Sequence, residues 1–411
     1  MRFEQERSLG KDSLWVLIAK LAAQGGQAVF TILIARRLGS QGFGEYAFIA
    51  SAVFIGNIIT TFGTDMLLIR EIAAKRDFSQ FIPSLLLQLS LSIVLIVIAW
   101  LLPPLPGQSQ TGWLALKIFS LSLIPFAFFT VFSAVLRGLQ RMDLYAGLNL
   151  SISLFQLAAT FLFIDSRSSV VSLAWLLVGV QTSAALFAGW LCRDQFVHFR
   201  RLKWFSGREF QAVLPLAVLS ILGIVYQSAA VLMVTFLLGA VATGYFSAAK
   251  RVVEFAKTAH LAIYTALYPA MAKPNSDLRA SPVIWLVLIV GALAAALLIT
   301  LTAAPLVQIL YGKEYLDSIQ LLRLLPWLLI PYAVGTFLSL MFVSAKQEKP
   351  VLIALAASLL TLFVLNLLWT PSFGIIGAGW AFILAESIHA GILLVQYIAL
   401  KGALNEFPQP A

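Results

Sequence analysis

The chain has 411 residues, of which 60% are hydrophobic and only 11% charged, against about 25% charged in a soluble globular protein. The net charge of +10 would point to nucleic acid in a soluble protein; in a chain this apolar it reflects membrane orientation, and no nucleic-acid partner is expected. Cys192 is the only cysteine, which excludes an internal disulfide or thiolate cluster.

The amino terminus places Arg2, Arg7 and Lys11 before an apolar run, the order of a signal sequence. Lys20, Gln24 and Gln27 interrupt that run and no small-residue cleavage site follows, so it reads as a retained first span. Apolar runs then recur to the end of the chain, each long enough to cross about 30 Å of hydrocarbon as a helix. They fall at Leu14–Ala35, Phe43–Thr64, Phe81–Leu102, Trp113–Leu136, Leu144–Ile164, Ser169–Leu191, Ala212–Leu238, Gly244–Ala272, Val283–Ala303, Leu321–Ser344, Pro350–Trp369 and Ile375–Leu400. None alternates with period two, which excludes a barrel. The fold class is an all-α polytopic membrane protein of about twelve transmembrane helices.

Arg70, Lys75, Arg76, Arg137, Arg141, the Arg193–Arg208 run, Lys273, Arg279, Lys346, Lys349 and Lys401 fall on the same side as the basic amino terminus. The other side has Arg36, Arg37, Arg167, Lys313 and Arg323. The positive-inside rule puts both termini in the cytoplasm. The basic connection, with Phe196, Phe199, Trp204 and Phe205, suits an interfacial helix on the cytoplasmic leaflet.

Polar residues recur at helical spacing inside the spans. The first carries Lys20, Gln24, Gln27 and Thr31; the second Asn57, Thr60, Thr61 and Thr64; the fifth Asn149, Ser153, Gln156 and Thr160; the seventh Ser220, Tyr226, Gln227 and Ser228. Such residues either join helices by hydrogen bonds or line a polar chamber. The eighth span is different in kind, with Ser247, Lys250, Arg251, Glu254, Lys257 and Thr258 on one face. A Lys or Arg at the bilayer centre costs roughly 2.5–3.5 kcal/mol. Three facing lipid would cost on the order of 8–10 kcal/mol, so they must face water, another charge or a charged ligand. Glu254 is spaced to pair with Lys250 and Lys257, which leaves an excess of two positive charges. Such a face suits an anionic headgroup, with Gln, Asn and Tyr suited to sugar hydroxyls. Glu386 and His389, three apart in the last span, are candidates for ion coupling or for a structural pair, and Asp65 lies beside Arg70.

The two halves match. Leu38-Gly39-x4-Gly44 recurs as Leu238-Gly239-x4-Gly244, a shift of 200 residues, with Gln27 and Gln227 in the same register. Leu123-Ile124-Pro125-Phe126-Ala127 recurs as Leu329-Ile330-Pro331-Tyr332-Ala333, a shift of 206. The four glycines permit turns between spans, and the two prolines kink theirs. Six spans per half predicts two parallel six-helix lobes, residues 1–192 and 212–411, joined by the linker 193–211, with a substrate site between them. No Walker loop, HExxH or paired-cysteine spacing is present, so neither an ATP-driven motor nor a metal or other cofactor is expected.

The stretch from Lys11 to Arg76, with Ala35-Arg36-Arg37-Leu38-Gly39-x4-Gly44-Glu45-Tyr46 and Leu68-Ile69-Arg70-Glu71-Ile72-Ala73, resembles the polysaccharide-biosynthesis exporters. These are the O-antigen-type flippases of the multidrug/oligosaccharidyl-lipid/polysaccharide exporter superfamily. The resemblance implies a fold like that of the MATE drug antiporters. It also implies a cell-membrane flippase that moves an undecaprenyl-diphosphate-linked oligosaccharide to the outer leaflet. Its partners would be that lipid-linked substrate, membrane lipids, a polysaccharide polymerase and glycosyltransferases. Two other readings stand beside it: an ion-coupled antiporter of a soluble solute, and a membrane enzyme or assembly factor of polysaccharide synthesis.

Overall fold

In hydrocarbon each backbone N–H and C=O must be satisfied within the chain, and a run of apolar residues does this as a helix. The computed structural model describes residues 2–104, 109–200, 207–271, 282–345 and 347–406, and among them there is no strand. The helices are α1 (Arg2–Thr61), α2 (Thr64–Lys75), α3 (Phe81–Leu101), α4 (Gln110–Ser120), α5 (Leu123–Gly138), α6 (Met142–Phe163) and α7 (Val170–Leu191). They continue with α8 (Gly207–Met271), α9 (Pro282–Leu301), α10 (Ala303–Leu310), α11 (Ser318–Leu324), α12 (Leu329–Ser344) and α13 (Lys349–Glu406).

Among the described residues nine helical stretches are long and apolar enough to cross a membrane. Three of them, within α1, α8 and α13, are bent by a single glycine, at Gly39, Gly239 and Gly374. Counting each bent stretch twice gives the expected twelve segments. Large apolar side chains such as Leu101, Leu162, Phe163 and Leu301 point outward, as lipid-facing positions do.

Gly39 (φ 68°, ψ −175°) and Gly239 (φ 83°, ψ −176°) share one backbone conformation, in a region essentially closed to residues with a Cβ. The repeated motif therefore encodes a repeated bend. Its second glycines, Gly44 and Gly244, make no turn: both are buried inside helix after the bend. The prolines do more than kink. α4 stops at Ser120 and α5 begins at Leu123, two residues before Pro125, because proline cannot bond back to residue i−4 and its ring crowds that carbonyl. Around Pro331, the tighter turn Leu325–Leu328 likewise separates α11 from α12.

The chain forms two compact units, Met1–Ile224 and Val225–Ala411. In the first, Leu68, Ile72, Val131, Val135, Leu136 and Leu148 make a core where α2 and α5 meet; a Cβ on Gly138 would lie only 2.8 Å from that of Ile72. Arg37, two residues before the bend, donates to the carbonyls of Thr160, Phe161 and Ile164 and lies over the Phe161 ring. It thus neutralises the negative C-terminal end of α6. Glu45 is buried and accepts a 2.6 Å hydrogen bond from Ser109, whose Oγ also caps α4 by accepting from Gly112 N. Asp65 pairs with Arg137 at 3.2 Å rather than with Arg70, which instead lies beside Glu71. Residue 137 is more than one helix distant in sequence, so this partner was not visible from spacing.

At the start of the basic connection, Arg193–Arg200 forms a 3-10 helix, with Phe196 against Phe132 and Arg193 over Trp190. The positions 201–206, including Lys203, Trp204 and Phe205, lie outside the described residues, as does the Phe199 side chain. Cys192 is buried, its thiol directed at the Phe132 carbonyl, and burial pushes its pKa up to about 12. Since the thiolate is the reactive form, the folded protein at pH 7 should take up little maleimide, and the SDS-denatured chain one equivalent. Rapid stoichiometric labelling of the folded protein would contradict this placement.

Candidate functional site

α8 resumes after Gly239 as an uninterrupted helix, so Lys250, Arg251, Glu254 and Lys257 rise along one side of it at helical spacing. Glu254 bridges the first two cations: Oε1 is 2.9 Å from Lys250 Nζ and Oε2 is 3.3 Å from Arg251 Nη1. Lys250 also donates to the Gln227 carbonyl at 2.7 Å, which ties the two segments of α8 together across the bend, and its side chain is only 12% exposed.

The expected Glu254–Lys257 pairing does not form within ion-pair distance. Glu254 is committed one turn back, to Lys250 and Arg251. Lys257 instead lies over two rings, 4.4 Å from the centroid of Tyr332 and 5.2 Å from that of Phe382. Such cation–π contacts strengthen when water is excluded. Tyr332 comes from α12 and Phe382 from α13. Along α13, Phe382, Glu386 and His389 follow at four- and three-residue steps on one face. Glu386 is buried and accepts a 2.7 Å hydrogen bond from the Tyr226 hydroxyl. The Tyr226 ring meets Phe382 and His389 edge-on, and His389 Nε2 is 3.4 Å from Ser339 Oγ on α12. Gly335, between Tyr332 and Ser339, faces Ala390, whose backbone an added Cβ would meet at an ordinary contact distance of 3.6 Å, so α12 and α13 pack closely here.

The structure thus gathers Tyr226, Gln227, Lys250, Arg251, Glu254, Lys257, Glu386 and His389 into one network in the second unit. Three cations against two acids leave a formal excess of one positive charge, less than the excess of two on α8 alone, because Glu386 joins them. Sequence reading missed Tyr332, Phe382 and Ser339. Tyr332 was within reach, since it occupies the repeated Ile-Pro-aromatic-Ala position.

Among the described residues, the candidates of the first unit do not form a comparable network. Asn149 donates to the Tyr145 carbonyl of its own helix. The Thr60 and Thr61 hydroxyls bond to the Asn57 carbonyl, Thr31 to that of Gln27, and Thr160 to that of Gln156. Ser153 joins α6 to α1 by donating to the Ala23 carbonyl. These are structural uses of polar residues in a helix bundle. Asn57 Oδ1 is buried without a hydrogen-bond partner, Gln24 is exposed, and Gln27 and Gln156 are half-buried. Lys20 lies on α1, but its side chain is outside the described residues.

Elsewhere in the same unit a concavity of about 380 Å³ is lined by Gln320, Arg323, Leu324, Trp327, Trp380 and Ile383. It lies where α11 meets the part of α13 that follows Gly374.

Residues 9–274 match the family model described as polysaccharide biosynthesis protein. The sequence matches no curated protein. Among solved structures, the chain is similar to an inward-facing multidrug resistance MATE family transporter of the MOP superfamily, with TM-score 0.78 and 17% identity over 93% of this chain and 96% of that one. It is also similar to a MOP superfamily transporter from Pyrococcus furiosus described as having a binding pocket of reverse polarity, with TM-score 0.69 and 16% identity over 97% of each chain. The outward-facing form of a MATE family transporter matches with TM-score 0.67, again at 16% identity and over 96% of each chain. The fold is therefore MATE-like.

Proposed function

The chain belongs to the polysaccharide biosynthesis protein family, a multi-pass membrane family of transporter fold, and from that premise we propose that it is a flippase for lipid-linked oligosaccharide. Its substrate is an undecaprenyl-diphosphate-linked glycan, carried from the cytoplasmic to the outer leaflet of the cell membrane by exchanging access between the two faces. Both termini are cytoplasmic in this reading, as the distribution of Lys and Arg requires. The pathway's polymerase and glycosyltransferases are the expected partners.

The observation that supports the reading most is the inward turn of Lys250 and Lys257. Cations inside a membrane bundle are retained where they handle charge. Lys and Arg suit phosphate oxygens through charge-assisted hydrogen bonds. Moving anionic charge outward across an inside-negative membrane is favourable by about 2.3 kcal/mol per charge per 100 mV. A diphosphate with two uncompensated charges gains roughly 4–5 kcal/mol per 100 mV, enough to bias transfer without an ion gradient.

Proteoliposomes carrying a fluorescent diphosphate-linked lipid test this directly. Transfer should exceed that of protein-free liposomes and quicken when an inside-negative potential is imposed. Lys257→Ala should lower the rate at least tenfold and Ser153→Ala less than twofold, because Ser153 serves a helix contact. No transfer above protein-free liposomes would exclude the flippase reading.

A second reading is favoured by one observation, the buried Tyr226–Glu386 pair beside His389. An acid held inside the membrane is a candidate carrier of a proton or other cation, as an ion-coupled antiporter needs. Transfer driven by an imposed pH or sodium gradient at zero potential, and lost in Glu386→Gln, would assign that role.

A further inference from the structure

The cationic face of α8 is already filled. Each carboxylate oxygen of Glu254 rests on a different cation, one on the Lys250 ammonium and one on the Arg251 guanidinium. Two oxygens of one anionic group, shared between those two side chains, is also how a phosphate would sit there. Glu254 is the more accessible member of the trio, with 36% of its side chain exposed against 33% for Arg251 and 12% for Lys250. Lys250 is anchored independently by the Gln227 carbonyl, so its ammonium keeps its place when the carboxylate leaves. Lys257, one turn further on, is held by the Tyr332 and Phe382 rings and lies beyond ion-pair distance of Glu254. The seat is thus two-pronged, preformed, and occupied by the chain's own acid.

We propose that Glu254 is a resident counter-anion, which the phosphate groups of the lipid-linked substrate displace from Lys250 and Arg251 on loading and which returns to expel them on release. The proposal rests on the flippase reading and adds the means of letting go. A transport site must bind well enough to load and weakly enough to empty. Two fixed cations without a competitor would hold a diphosphate through strong charge-assisted bonds. A tethered carboxylate competes at an effective concentration set by its place on the helix and not by the supply of free anions. It also keeps the cations paired inside the membrane between cycles, when no substrate is present.

The test compares the purified full chain with Glu254→Gln and Glu254→Asp, using farnesyl diphosphate as the binding probe and the fluorescent diphosphate lipid as the transport probe. Glu254→Gln removes the competing charge at nearly constant shape. It should bind farnesyl diphosphate at least tenfold tighter than wild type while its turnover at saturating lipid falls. Glu254→Asp, one methylene too short to reach both cations, should bind with intermediate affinity, and it decides the matter if the Gln variant does not fold. Binding by the variants that equals or falls below that of wild type overturns the counter-anion and leaves the flippase standing. Failure of wild type and variants alike to bind the probe overturns both.

Discussion

Replacing Lys250 and Arg251 together by alanine should bring lipid transfer down to the level of protein-free liposomes. Both partners of Glu254 disappear at once. Counting Lys257 against Glu254 and Glu386, the formal charge of the network swings from +1 to −1, so a diphosphate meets repulsion where it met attraction. The same change strands an acid in the membrane. Breaking a buried pair from one side costs about 3–5 kcal/mol, and the partial exposure of Glu254 places the cost towards or below the lower end of that range. Loss of transport from misfolding must therefore be separated from loss of the site. The triple variant Lys250→Ala/Arg251→Ala/Glu254→Gln does this, since it removes the stranded charge as well. Its melting temperature should recover most of the wild-type value while its transport stays absent. Transport by the double variant above half the wild-type rate would remove the cationic face from the mechanism.

The contrast between the two halves explains how much of this was legible in the sequence. Span number and the repeated bend follow from apolar run length and from glycine, because lipid leaves the backbone few alternatives. The charged face of α8 was legible for the same reason, since charge inside an apolar run has no bland explanation. At the 200-residue shift of the first motif, Lys257 corresponds to Asn57 and Glu254 to Phe54. Phe54, not Asn57, packs against Phe126, whereas Lys257 itself packs against Tyr332, so the two halves use different positions at this contact and, among the described residues, only the second places a cation there. Spacing along one helix gave the neighbours Lys250, Arg251 and Glu254, but not the partners that arrive from other helices. Tyr226 and Glu386 are 160 residues apart, and Asp65 and Arg137 are 72 apart. Those pairings depend on helix packing, which periodicity does not specify. The break between Trp369 and Ile375 was expected, but Gly374 was not singled out as its cause, because it belongs to neither repeated motif and follows Pro371, the more obvious helix breaker.

Gly239→Ala should destabilise the protein by about 1–3 kcal/mol, the cost of holding a Cβ-bearing residue in a region essentially reserved for glycine. Gly239→Val should be worse, since branching at Cβ narrows the accessible backbone further. The position isolates backbone conformation from packing, because an ideal Cβ on Gly239 would meet nothing within 4 Å. Gly223, on the same helix and equally uncrowded, has an ordinary helical backbone. Gly223→Ala should thus be neutral or raise stability by about 0.5–1 kcal/mol through helix propensity alone. Thermal unfolding of the two variants in one detergent gives opposite signs if the bend is the cause. The bend also fixes function, because it aims the segment carrying Lys250, Arg251, Glu254 and Lys257 back along the segment that carries Tyr226 and Gln227. Strain released there by opening the Lys250 contact to the Gln227 carbonyl would lower transport even in molecules that remain folded. Gly239→Ala should accordingly lose more transport per degree of melting temperature than a cavity variant such as Leu288→Ala in α9. Equal tolerance of Gly239→Ala and Gly223→Ala, in both stability and transport, would mean that the bend is not imposed by the glycine.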